Sequence, residues 1–418
     1  MFESRKEADR SGEGNSALDR ALALYRETYG AEPEHVAFAP GRVNLIGDHT
    51  DYAGGLVFPA AMTDGCACAV GPDDSVLSAV SGDVGGAASV GVSGSLTASG
   101  LAGEPSWFRY AAGTFEVMRR TFAPRAAGSR MAVASDVPSG SGLSSSAALE
   151  VSIATALESL WGLEVGDVEK ARACQAAEHE FAGTPCGLMD QLVSVVGRRD
   201  HAVRIDFADT TWEHVAMPPS SEAVFVLLDS AVKHANDDGG YAARRAACDS
   251  VLGTLGVDSL RSVAFESLDA LPSTLSDVER DAVTHVVSEN RRVERFADAL
   301  RAGRYAEAGM LMAESHCSLS RTYRVSCREV DTLVSIALEH EGVFGARMTG
   351  GGFGGWTVAL VRADAAAAVA ASVIERYRDA TGLESASRVV SAGDGARVLR
   401  AVETPLVYAE ASAVAQRR

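Results

Sequence analysis

The chain is expected to fold as a two-domain protein of mixed helix and strand, on three observations. Its 418 residues exceed what one core usually serves, and 47% of them are hydrophobic, enough for a sizeable interior. A strand-like segment around Met131 and Val133 runs through a Gly- and Ser-rich loop into a stretch where Leu149, Ile153, Ala156 or Leu157, and Leu160 recur at helical spacing. Breakers at Pro218, Pro219 and Ser220 precede the apolar run from Val224 to Leu228, which reads as a buried strand opening a second domain.

The remaining elements follow from the same patterns. Asn15 to Tyr29 reads as a first helix, with Ala21, Leu22, Tyr25 and Tyr29 on one face, and His35 to Phe38 as a strand. Residues 81–103, rich in Gly, Ser and Ala, read as a surface loop or short edge strands. Helices are expected at Tyr241 to Leu255, Val278 to Ala302, Tyr305 to Ser318 and Glu329 to His340, with a strand from Trp356 to Val361. The alanine-rich run from Ala365 to Ile374 is too short to span a bilayer and reads as a packed helix between Asp364 and Glu375.

A net charge of −18 argues against a nucleic-acid or anionic-membrane surface, so a polyphosphate would need local donors and a divalent cation. No protein partner is indicated. The segment from Met1 to Asn15 is polar, without the apolar stretch of a secretory signal, so a cytoplasmic location is expected. Seven cysteines are read as reduced thiols, and Cys66-Ala-Cys68 lacks the second pair of a zinc site.

Three motifs carry chemistry. The first runs from Ser135 to Glu150, where Gly140, Ser141, Gly142, Leu143, Ser144, Ser145 and Ser146 lie between strand and helix. Glycines let the backbone approach a ligand closely, and the helix N-terminus behind them favours an anion. The loop lacks the lysine of a P-loop and the third glycine of a dinucleotide fingerprint, and taken alone it also suits an ordinary helix start. The second motif runs from Pro40 to Gly55. Its Arg42, Asp48, His49 and Asp51 suit a polyhydroxylated ligand, a metal or a plain polar turn. The third, Met348 to Trp356, sets five glycines around Phe353 and reads as close backbone approach to a ligand or to another chain segment.

In this order and spacing the three motifs resemble those of the GHMP kinases, and the second is closest to the galactose-phosphorylating branch. The resemblance extends to residues 177–191, to Val232-Lys233 with Tyr241 and Arg244-Arg245, to residues 285–290 and to residues 314–319. It implies an N-terminal α/β domain (1–215) like the second domain of ribosomal protein S5, and a C-terminal α+β ferredoxin-like domain (216–418), with the active site in the cleft between them. It further implies transfer of the ATP γ-phosphoryl group to the anomeric hydroxyl of α-D-galactose, giving galactose 1-phosphate in the Leloir pathway. By position Asp190 and Arg42 would be catalytic. Asp48, His49, Thr50, Asp51 and Tyr241 would bind sugar, Gly140 through Ser146 would bind ATP, and Ser146 and Glu178 would hold Mg2+. Asp190 could serve as a base or only orient the hydroxyl.

Two positions depart from the branch, which usually has Glu in place of Asp48 and Arg in place of His234. The shorter carboxylate is expected to leave space at the O6 end of the sugar. Other readings are a C1 kinase for a related galacto-configured sugar such as N-acetylgalactosamine, and a non-catalytic galactose and ATP sensor; the intact phosphate loop, Asp190 and Arg42 speak for catalysis.

Overall fold

The computed structural model describes residues 16–138, 140, 142–232 and 240–400. In chain order the strands and helices are α1 (Ala17–Tyr29), β1 (His35–Asn44), β2 (Leu56–Val57), β3 (Pro59–Asp73), β4 (Val76–Ser81), β5 (Ala87–Gly91), α2 (Ser106–Phe122), β6 (Gly128–Ser135), α3 (Ser145–Leu160), α4 (Asp167–Ala177), α5 (Met189–Val196), β7 (His201–Asp206), β8 (Thr211–Ala216) and β9 (Ala223–Asp229). They continue with α6 (Gly240–Leu255), α7 (Asp277–Arg301), α8 (Tyr305–Cys317), α9 (Arg328–Leu338), β10 (Val343–Met348), β11 (Trp356–Arg362), α10 (Ala366–Thr381), β12 (Ser387–Val389) and β13 (Arg397–Arg400).

The segment read as loop or edge strands holds β5, which lies at the edge of its sheet. Ser16 starts α1 with a reciprocal capping box to Asp19, and Gly30 ends it in the left-handed conformation. The alanine-rich run is α10, which buries Ala366, Val369, Val373 and Tyr377. No described helix is long and apolar enough to cross a membrane.

Three sheets organise the described residues. One has the order β13-β1-β3-β6-β4-β5, a second β10-β11-β9-β12, and a third β2-β7-β8. The first is antiparallel except where β4 runs parallel to β6. Its β1 is buried along its full length, so a run from His35 to Asn44 brings Arg42 and Asn44 into the interior at its C-terminal end. The last strand, β13, returns to pair with β1.

The largest hydrophobic cluster joins the first and second sheets. It takes Val43, Leu45, Phe115 and Ile153 from the N-terminal half and Phe225, Leu227, Phe296, Trp356 and Val358 from the C-terminal half. Phe58 meets Phe296 edge to face, with ring centroids 5.3 Å apart. The turn after β1 is thereby pressed against α7 and the mouth of β10 and β11, where the functional side chains collect.

Candidate active site

The loop between β6 and α3 has the backbone of an anion cradle. Gly140 and Gly142 lie at φ 67° and 76°, a region open to glycine, and an added Cβ at Gly140 would meet nothing. Ser144 also lies at φ 59°, unusual for a residue with a side chain. α3 begins without a side-chain cap and with no acidic residue in its first turn, which leaves its N–H groups and positive dipole end for an anion. Leu143 is buried and its carbonyl accepts from the Arg42 N–H at 3.1 Å, fixing the loop to β1. Ser141 lies outside the described residues.

Arg42 and Asp190 meet as a two-pronged pair. Nε of Arg42 donates to Oδ1 of Asp190 at 2.8 Å and Nη2 to Oδ2 at 2.7 Å. The third arm, Nη1, donates to the Gly142 carbonyl at 2.5 Å, so one guanidinium ties the carboxylate to the phosphate loop. Ser144 donates its hydroxyl to Asp190 Oδ2 as well. The Arg42 side chain is 6% exposed and that of Asp190 25%, which leaves the carboxylate reachable from the cleft while its charge is balanced from within.

Glu178 is buried, not the surface helix charge its sequence also allows. It sits where α4 widens into a π-turn, Glu178–Ala182, a distortion that often marks a functional position. Ser146 and Cys186 hydrogen-bond to it, and Nε2 of Gln191 donates to its Oε2 at 2.7 Å. Burial is the main influence and pushes the carboxyl up to about 7. The same burial drives the Cys186 thiol far above its ordinary range, which makes it an inert thiol here.

The turn after β1 carries the sugar-motif residues, and it divides them. His49 is buried at φ 64°, its ring 5.4 Å from that of Tyr241, which α6 supplies. Asp51 lies over Gly187, where an added Cβ would come within 1.6 Å of its Oδ2. Burial and the neighbouring Asp190 push its carboxyl up to about 6. Thr50 turns inward, its hydroxyl 3.0 Å from the Gly47 carbonyl and 2.6 Å from that of Leu56, so it braces the turn. Asp48 turns inward too. Its Oδ2 accepts from Nη2 of the buried Arg347 at 2.7 Å, and its Oδ1 from Nδ2 of Asn44 at 2.8 Å and from the Gly350 N–H at 3.3 Å. The space expected beside a shortened carboxylate is taken up by this ion pair.

The third motif closes the site. Thr349 exchanges hydrogen bonds with the Asn44 backbone at 3.2 and 2.9 Å. A Cβ on Gly350 would stand 3.0 Å from the Gly142 carbonyl, so the two glycine loops abut. Phe353, at φ 60°, joins His49 and Ser144 as a left-handed residue with a side chain in one of the three motifs. From α7, Asn290 accepts from the Leu56 N–H at 2.8 Å and Glu289 from the Gly47 N–H at 3.0 Å. Gly187, Arg347, Tyr52 and Tyr323 complete the site and escape a reading of the sequence. Two of them carry a signal that could have found them: Tyr52 lies inside the second motif and Gly187 inside the 177–191 segment, whereas Arg347 and Tyr323 lie outside every motif.

A cleft formed by a glycine-rich anion loop, an Arg–Asp pair and an acidic sugar-type turn is the site of a GHMP-type small-molecule kinase. Matches to known proteins agree: residues 109–198 match the "GHMP kinases N terminal domain", 296–379 the "GHMP kinases C terminal" and 23–72 the "Galactokinase galactose-binding signature". The chain belongs to the galactokinase family. It is 41% identical to galactokinase of Streptomyces coelicolor over 90% of this chain and 97% of that one, and 41% identical to human galactokinase over 91% and 96%. Among solved structures, Lactococcus lactis galactokinase complexed with galactose superposes with a TM-score of 0.81 at 29% identity, over 90% of this chain and 98% of that one. A mevalonate kinase at TM-score 0.59 and 16% identity shares the fold.

Proposed function

We infer that the protein is a sugar kinase that uses ATP to phosphorylate the anomeric hydroxyl of α-D-galactose, giving galactose 1-phosphate. The observation that carries the reading is the Arg42–Asp190 pair, held between the phosphate loop and the Asp51 turn. Phosphoryl transfer is accelerated mainly by alignment and by charge placed at the reacting oxygens. Asp190, charge-balanced by a bidentate guanidinium, is suited to orient the sugar hydroxyl and to receive its proton late, as bond formation makes that proton acidic. Arg42 then sets positive charge beside the transferring group.

The sugar would lie against His49, Asp51 and Tyr241, with Asp51 accepting from its hydroxyls and Thr50 and Asp48 holding the turn in shape. Gly140, Gly142 and the free N–H groups of α3 at Ser145 and Ser146 would receive ATP phosphates. The donor set beside them fits a hard cation, because magnesium typically takes one or two protein oxygens and completes its shell with phosphate and water. Ser146 and Glu178 would hold that ion, which when bound supplies positive charge to the phosphate oxygens. With units of 1–215 and 216–418, the phosphate loop and the sugar turn belong to the first and the second glycine loop to the other.

ADP release measured across a panel of free sugars tests the reading, with galactose expected to exceed glucose and N-acetylgalactosamine. The Asp190→Asn variant is expected to keep its fold by circular dichroism and to lose turnover by at least about a hundredfold. Near-normal turnover in that variant would remove Asp190 from the chemistry, and glucose rivalling galactose would remove the galactose assignment.

A further inference from the structure

Behind His49 lies a chain of hydroxyls that nothing in the catalytic reading uses. Nδ1 of His49 is 2.8 Å from the Tyr52 hydroxyl, which is 2.9 Å from that of Tyr323. Sγ of Cys248 is 3.6 Å from the Tyr323 oxygen. On the far side of the ring, Nε2 of His49 faces the carbonyl of Gly351 at 3.2 Å.

These contacts have a direction. A carbonyl oxygen only accepts, so Nε2 of His49 carries the hydrogen. Burial pushes the imidazole down to about 3, so the ring is neutral and Nδ1 is a bare acceptor. The Tyr52 hydroxyl must spend its one proton on Nδ1 and therefore accepts from Tyr323. The competing contact from Tyr323 to the Arg244 carbonyl, at 3.4 Å, is the longer one. Tyr323 itself follows a second π-turn, Ser318–Thr322, whose first hydroxyl is 2.9 Å from Nδ1 of His285. Nε2 of His285 faces the Asp48 carbonyl at 3.0 Å, and its ring stacks on Tyr323 at 4.5 Å. The segment 314–319 thus gains a purpose: its π-turn delivers Tyr323 to the relay.

We propose that Tyr52 and Tyr323 are positioning residues that lock His49 in its Nε2–H tautomer, so that this side of the site offers the sugar a hydrogen-bond donor and selects a hydroxyl oxygen able to accept. This rests on the reading of His49 as a sugar-facing residue. On sugar binding the N–H passes from the Gly351 carbonyl to the ligand, while Tyr52 keeps Nδ1 deprotonated throughout.

The test is long-range nitrogen–proton NMR on the full-length protein labelled in its histidine rings, with His49 assigned by comparison with His49→Gln, alongside steady-state kinetics. In the wild type, His49 is expected as the Nε2–H tautomer across neutral pH, before and after galactose. In Tyr52→Phe the Gly351 carbonyl still holds the Nε2–H form in the free protein, the two tautomers mix once galactose takes the place of that carbonyl, and KM for galactose rises roughly fivefold with kcat within about twofold, the loss of one hydrogen bond. In Tyr323→Phe the tautomer persists with a smaller rise in KM. An Nδ1–H tautomer in the wild type, which needs no variant to fold, or an unchanged galactose-bound tautomer and KM in Tyr52→Phe, would overturn the proposal. A wild-type Nε2–H tautomer whose ring resonances do not move on adding galactose would instead overturn the sugar-facing reading of His49.

Discussion

Asp48 and Asp51 stand three positions apart in one turn and do different work. Asp48 compensates the buried charge of Arg347, whereas Asp51 lies against Gly187 and beside Tyr241 at the cleft. Removing one partner of a buried ion pair leaves the other uncompensated and typically costs about 3–5 kcal/mol. Asp48→Asn is therefore expected to lower the melting temperature markedly. Asp51→Asn should melt near the wild type yet lose galactose affinity; equal melting temperatures for the two would show that Arg347 does not depend on Asp48. With its carboxylate engaged by Arg347 and Asn44, Asp48 is not expected to read C6, so Asp48→Glu should disturb packing more than it changes the ratio of 6-deoxygalactose to galactose turnover.

Asp51 also sets a pH expectation. Burial and the neighbouring Asp190 push its carboxyl up to about 6, and only the ionised form is acceptor-only at both oxygens toward sugar hydroxyls. Acidification protonates it, so kcat/KM for galactose should fall as pH drops through about 6, and Asp51→Asn should remove that component while leaving the one from Glu178, pushed up to about 7. The two carboxylates could be named from the sequence because acidic side chains beside a histidine in a tight turn suit a polyol. Their division of labour could not, because the decisive partner, Arg347, lies 299 positions away in a strand between glycines.

At the scale of elements, the site depends on irregularities in regular structure. The phosphate loop is legible in the sequence because glycines and serines packed between a strand and a helix leave backbone N–H groups open to an anion. β3 is not, since Asp64 and Gly65 interrupt its 15 residues and most of it is buried on both faces, leaving no alternation to detect. The π-turns at Glu178–Ala182 and Ser318–Thr322 escape any 3.6-residue pattern, because each is the point where that pattern slips. The approach to α5 is equally specific. Gly187 has room for no side chain below Asp51, so Gly187→Ala is expected to displace that carboxylate and raise KM for galactose at least about tenfold, with secondary structure retained. Unchanged KM would mean that the turn can shift without cost to the sugar site.

At the scale of the molecule, two units share one interior. The cluster that contains Val43 and Ile153 also contains Phe225, Phe296 and Trp356, and the chain's last described strand pairs with β1. Links across the cleft add to it: Thr349 to Asn44, Arg347 to Asp48, and Glu289 to Gly47. Units joined by a small polar interface unfold separately, whereas units joined through a common core lose their packing together. Calorimetry is therefore expected to show a single transition. Phe296→Ala, which empties the contact with Phe58, should lower it as a whole, by about 3–5 kcal/mol. Galactose alone should raise the same transition, because the proposed sugar residues come from both halves, His49 and Asp51 from one and Tyr241 from the other. Two resolved transitions, with Phe296→Ala moving only one of them, would show that the halves are stable apart and that the shared cluster is not what holds the cleft in register.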